Sequence, residues 1–168
     1  MFLIFYRTAL KKCKIGDYKV KDALKFFQGY INEMIDIGGD NLPKSISTSL
    51  GAKLGKLYKE REPVSNMKAR LTQIYTVLDA KVNITKLDEN IYEVIVEHLE
   101  RFCPIGGSYN PTRAPIFQSN ICFPYTTGFL NEILPEFKTS SEIKNCILSN
   151  NQKTCHYILK LEKKKNVI

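Results

Sequence analysis

The chain has 168 residues, 43% of them hydrophobic and 25% charged, with a net charge of +8. That length suits one domain over residues 1–168 with its own core, and that composition excludes a largely disordered chain. No apolar run approaches the roughly 18–20 residues of a membrane span, so no membrane partner is expected. The charge is spread out, with 12 basic and 7 acidic residues in 1–62 and 13 and 10 in 63–168. A basic balance permits nucleic-acid binding. No recognition helix, RNP-type aromatic box or arginine stripe accompanies it, so nucleic acid is not an expected partner.

Met1 to Tyr6 is apolar but short, its positive charges follow it, and no small-residue cleavage site closes it. It makes a poor signal peptide and reads as an edge strand or a packed arm. A cytoplasmic location follows as the expectation. Val20 to Ile37 carries Leu24, Phe27, Ile31, Met34 and Ile35 at helical spacing, and Gly38-Gly39 supplies a left-handed cap. A second helix starts near Pro43, with Ile46, Leu50, Leu54 and Leu57 as its expected core stripe. Ser47, Gly51 and Gly55 lie beside that stripe at i, i+4 and i+8. Small residues so spaced admit a second helix closely, either from the same chain or from a dimer partner. Pro63 breaks the run. Ser65 can cap a third helix, with Met67, Leu71, Ile74, Tyr75 and Leu78 on its apolar face.

From Lys81 the period changes. Val82 and Ile84 alternate with polar residues, Asp88-Glu89-Asn90 turns, and Ile91 to Leu99 completes a hairpin. Residues 100–120 read as a loop. Tyr125 to Leu134 reads as a short helix opened by Pro124 and ended by Pro135. Cys146 to Ser149 and Thr154 to Leu161 alternate again, with Asn150-Asn151 suited to a two-residue primed turn. The expected fold class is α+β, an antiparallel β-sheet packed against N-terminal helices.

Five cysteines carry the chemical signal. A reducing compartment turns a cysteine cluster toward metal or redox chemistry. Cys13 stands alone, whereas Cys103, Cys122, Cys146 and Cys155 fall in the last 66 residues. A two-residue turn would set Cys146 opposite Cys155 at a non-hydrogen-bonded pair, with Cβ atoms roughly 4.5–5.5 Å apart. Thiolates of a tetrahedral zinc site stand about 3.7 Å apart when Zn–S bonds are about 2.3 Å. A disulfide fits the same pairing. Cys122 lies before the helix that Pro124 opens, where the helix dipole favours thiolate. Cys103 starts a Cys-Pro-Ile-Gly-Gly turn. The spacing matches no short zinc-finger pattern, and each cysteine alone also reads as a small buried hydrophobe. His98 reads as a core or pocket-lining residue, and His156 as exposed.

Cys122, Gly128-Phe129-Leu130, Cys146 and Cys155-His156-Tyr157-Ile158 together resemble the vinyl-4-reductase domain family, most clearly over residues 92–162. Gly51-Ala52-Lys53-Leu54-Gly55 resembles the glycine-containing helix that these domains share with the vesicle-tethering TRAPP subunits. The resemblance implies an α+β ligand-binding fold, a homodimer, a small apolar pocket and a zinc site near the C-terminal hairpin. Sensor domains of phenol-responsive activators use three Cys and one Glu. Cys122, Cys146 and Cys155 match the three Cys, but Ile143 stands at the Glu position. Cys103 is the expected fourth metal ligand, with Glu142 and His98 as reserves.

Two functions follow as expectations. One is a domain that binds or senses a small apolar molecule, with structural zinc at Cys103, Cys122, Cys146 and Cys155. Its pocket would draw on Tyr92, Val94, Val96, His98 and Phe129, all of which also suit plain core. A regulatory output would need a partner protein. The alternative is a redox or reductase-related protein holding an iron–sulfur cluster at the same cysteines. No dinucleotide-binding glycine motif and no acid–base constellation supports an enzyme. Tethering through the Gly51/Gly55 face is compatible with the first reading.

Overall fold

A computed structural model describes residues 29–164 apart from 32, 62, 77–79 and 104. The expectations at Met1 to Tyr6, Cys13, Leu24, Phe27 and Leu78 lie outside the described residues. Helical residues 33–38 end at Gly39, whose φ of 67° is the left-handed cap that glycine adopts without strain. Helix α1 (Asn41–Arg61) follows directly, then α2 (Met67–Thr76). Asn66, not Ser65, caps α2: its Oδ1 accepts the Ala69 N–H at 2.7 Å. Strands β1 (Lys81–Asp88) and β2 (Ile91–Glu97) form the expected hairpin.

The segment read as a loop contains a helix start. A continuous helical run comprises α3 (Ala114–Phe117), a π turn (Gln118–Cys122) and α4 (Phe123–Ile133). Pro124 therefore sits inside a helical run. Its ring would clash with the carbonyl four residues back in a regular α-helix, and the wider π turn gives that clash room. Strand β3 (Phe137–Asn145), a single helical turn α5 (Ile147–Asn150) and β4 (Thr154–Lys163) complete the chain. The sheet is antiparallel throughout, in the order β1-β2-β4-β3. The α+β class with an antiparallel sheet is as expected.

Two buried clusters result. The larger lies between one sheet face (Val94, Tyr157, Leu159) and α2 and α4 (Leu71, Ile74, Phe129, Leu130). The smaller gathers Ile31, Cys103, Phe117, Ile121, Cys146, Ile147 and Leu148. Ile143 and Cys155 pack against both.

Helix α1 corrects one expectation. Its buried positions are Pro43, Ser47, Gly51 and Gly55, while Ile46, Leu50 and Leu57 of the expected core stripe are 42%, 48% and 40% exposed. The small residues face inward because α4 lies directly on them. A Cβ at Gly51 would collide with the Tyr125 carbonyl, and one at Gly55 would come within 2.7 Å of the Phe129 carbonyl. Gly128 of α4 answers with the same closeness to the Thr48 carbonyl. The Gly51/Gly55 face is thus an internal helix seam.

Candidate functional site

The four cysteines lie on four different elements and line one cavity. Cys103 comes from the loop after β2, Cys122 from the π turn, Cys146 from the cap of α5 just after β3, and Cys155 from β4. The cavity has a volume of about 80 Å³ and an almost wholly apolar wall, completed by Tyr75, Val96, His98, Tyr125, Ile143 and Tyr157. That volume is several times the roughly 10–15 Å³ that one water needs. It sits where the two buried clusters meet, on the inner side of β3. Space is left there because β3 turns a small side chain, Ser141, toward it.

Each thiol has a distinct setting. The Cys103 loop closes on itself: the Cys103 N–H donates to the Gly107 carbonyl at 2.9 Å and the Gly107 N–H returns to Cys103 at 2.8 Å. The Gly106 N–H points at the Cys103 sulfur at 3.3 Å. Burial raises the Cys103 pKa, and the N–H groups of Gly106, Ile105 and Gly107 oppose that rise. Cys122 departs from the sequence expectation. It closes a π turn inside a continuous helix, so no free helix N-terminus stabilises its thiolate. Burial instead pushes its pKa well up, with Cys103 and Cys146 adding to the rise.

Cys146 and Cys155 do meet, but not by the predicted turn. The ladder pairs Asn145 with His156, and Cys155 stands opposite Val96. Cys146 has already left the ladder. The Ser149 and Asn150 N–H groups both bond the Cys146 carbonyl at 3.0 Å, which winds the chain into α5. Asn151 ends α5 at φ 50°, a left-handed conformation that asparagine tolerates. The two sulfurs are coupled by a mutual hydrogen bond, which lowers the Cys146 pKa and raises that of Cys155.

The remaining predicted site residues divide. Val96 and His98 line the cavity, whereas Tyr92, Val94 and Phe129 belong to the larger buried cluster. Burial lowers the His98 pKa, which favours its neutral form. Glu142 is exposed, ion-paired with Lys144 and outside the cavity wall. Lys144 holds its carboxyl below the ordinary value. His156 is half-buried, with Nε2 at 3.0 Å from the Glu93 carboxylate. Among the described residues, no three His, Cys, Asp or Glu side chains are grouped so as to hold one metal ion. The donor set is soft and suited to zinc or an iron–sulfur cluster, but the thiols do not form a preassembled centre.

Sequence reasoning missed the tyrosines. Tyr75, Tyr125 and Tyr157 all line the cavity, and the Tyr75 and Tyr157 rings stand 5.9 Å apart. Tyr75 was readable only as one more apolar position of a helix. Nothing in the sequence showed that the helix of Tyr125 and the strand of Tyr157 converge on it.

No protein-family model matches the chain, and no curated protein matches it. Solved structures match its fold. A trafficking protein particle complex subunit 3 from Naegleria fowleri, covalently bound to palmitic acid, aligns with a TM-score of 0.56 at 13% identity over 89% of this chain and 99% of the other. The phenol-responsive sensory domain of the transcription activator PoxR, solved with phenol, aligns with a TM-score of 0.54 at 15% identity over 82% and 74%. At these identities the likeness is one of fold.

Proposed function

We propose that the protein binds a small, mainly apolar molecule in the cavity between its two buried clusters. The observation that carries this is the cavity itself: about 80 Å³ of apolar-walled space where the two clusters meet. A small apolar ligand in a space of that size gains packing contacts with its apolar walls. The two solved structures of like fold were each determined with a small organic molecule, palmitic acid in one and phenol in the other. A sensory or regulatory role is the form of this reading that the PoxR likeness favours.

Mass spectrometry of protein purified without harsh washing tests it, together with thermal melts in phenol. One bound small molecule per chain, or a melting point that climbs with phenol concentration, is the expected result. A chain that carries nothing and does not respond to phenol or other small aromatics sinks the proposal.

Zinc at Cys103, Cys122, Cys146 and Cys155 is a second proposal, for the thiol-lined part of the same cavity. Its support is that all four thiols line one cavity and that the Gly106 N–H faces the Cys103 sulfur. Metal analysis decides it. Stoichiometric zinc in colourless protein supports it, and Cys146→Ser should lower metal content and stability together. Brown protein that absorbs visible light would point to an iron–sulfur cluster instead. A homodimer, implied by the family resemblance, would use the exposed Leu42, Ile46, Leu50 and Leu57 stripe of α1. Light scattering on wild type and Leu50→Glu tests that surface.

A further inference from the structure

The last rung of the β3–β4 ladder pairs Asn145 with His156. One step further along the two chains stand Cys146 and Cys155. Cys146 keeps an extended backbone, with φ −144° and ψ 144°, before α5 begins, so that step continues the line of the strand. Residues directly opposite in an antiparallel pair have Cα atoms roughly 4.5–5.5 Å apart, inside the roughly 4.4–6.8 Å that a disulfide spans. Both side chains line the cavity, and their sulfurs are already joined by a hydrogen bond. We infer that Cys146 and Cys155 are a redox pair, whose two thiols hydrogen peroxide converts into a reversible disulfide in the cavity wall.

Three features favour this pair among the four thiols. Cys103 is engaged elsewhere: its sulfur accepts the Gly106 N–H at 3.3 Å, and two hydrogen bonds to Gly107 close its loop. Cys122 lies on the π turn of a helical run, off the sheet. Cys155 is only half-buried, and the cavity beside it exceeds several-fold the roughly 10–15 Å³ that one water needs, which admits a molecule as small as hydrogen peroxide. One sulfur of the pair, as its thiolate, attacks a peroxide oxygen. An S–O bond forms, the O–O bond breaks, and hydroxide leaves and takes up the thiol's proton as water; the sulfur is oxidised to sulfenic acid. The second sulfur displaces that oxygen. An S–S bond forms, the S–O bond breaks, and a second water leaves with the second thiol's proton. In sum, two thiols and one peroxide give one disulfide and two waters, and a dithiol reverses the change by exchange. Zinc on these thiolates and a bond between them are alternative states of one pair. The inference therefore holds with or without the metal, and it does not rest on the ligand-binding reading.

Hydrogen peroxide added to the reduced protein, as purified and after metal removal with a chelator, provides the test. Thiols are counted under denaturing conditions, and a tryptic digest is mapped by mass spectrometry. Trypsin cuts after Lys144 and Lys153, which puts Cys146 and Cys155 on separate peptides. It also cuts after Arg101, Arg113 and Lys138, which gives Cys103 and Cys122 peptides of their own. The metal-free chain should lose two of its five thiols. The peptides of Cys146 and Cys155 should appear as one cross-linked species, lighter by two hydrogens, and dithiothreitol should restore all five thiols. Cys122→Ser should keep the cross-link. Cys155→Ser should lose it and leave Cys146 as a sulfenic acid that dimedone traps.

A cross-link that joins Cys103 or Cys122 instead overturns the inference. So does oxidation to sulfinic or sulfonic acid without a cross-link, or five intact thiols in both preparations. If a serine variant fails to fold, the map of the wild-type chain decides alone. A link that forms only after metal removal supports the inference and shows the metal guarding the pair. Metal analysis of the untreated protein decides the zinc reading separately, so either can fail without the other.

Discussion

Two seams hold this molecule together, and they are built oppositely. Where α1 crosses α4, Gly51, Gly55 and Gly128 bring backbone onto backbone, with no room for a single methyl group. Where the two buried clusters meet, large side chains (Tyr75, Tyr157, Ile143) line a cavity of about 80 Å³. Both seams join elements distant in sequence. The first uses small residues for closeness, and the second uses bulky ones to line a cavity. A closed seam fixes geometry, while an open one leaves a place for something to bind.

The largest expected effect lies at the closed seam. Gly51→Ala or Gly128→Ala should destabilise the protein by about 3 kcal/mol, because a rigid carbonyl occupies the place of the new Cβ. The helix-propensity gain of about 1 kcal/mol is too small to offset this. For a chain of this size the melting point should fall by about 6–12 °C. A loss under about 3 °C would mean that the helices are not in backbone contact.

A smaller effect is expected at the open seam. Ile143→Phe adds bulk where space exists, so stability should change by about 1 kcal/mol or less in either direction. Chemical denaturation of the variant against wild type reads this, and a loss as large as that of Gly51→Ala would show that the cavity is closed. The smallest effect is the control. Gly38→Ala meets only the Leu42 side chain, at an ordinary 3.6 Å. It should be neutral or raise stability by up to about 1 kcal/mol in the same melts.

The sequence made the β1–β2 hairpin legible because Val82, Ile84 and Val94, Val96 alternate cleanly. It hid β3, whose inward positions include Thr139 and Ser141 in place of large apolar residues. That strand lies at the sheet edge, where polar outward residues are usual. The smallness that hid the strand is also what leaves the cavity beside it. On α1, apolar residues mark the exposed face and glycines the buried one, which inverts the usual reading of an amphipathic stripe. Sequence order alone could not tell an internal seam from a dimer face there. The four cysteines were singled out by residue type and do line one cavity. Their detailed pairing was not legible, because a one-turn helix between β3 and β4 shifts the register that a two-residue turn would have set.

The central claim is that the open seam is a binding site. Calorimetric titration of phenol into wild type and Ile143→Phe, matched for folding by circular dichroism, tests it most directly. The expected result is one site per chain in wild type and binding weakened at least about ten-fold in the variant, where the phenyl ring occupies the ligand's space. Equal binding to the two proteins would place the ligand elsewhere and contradict the claim.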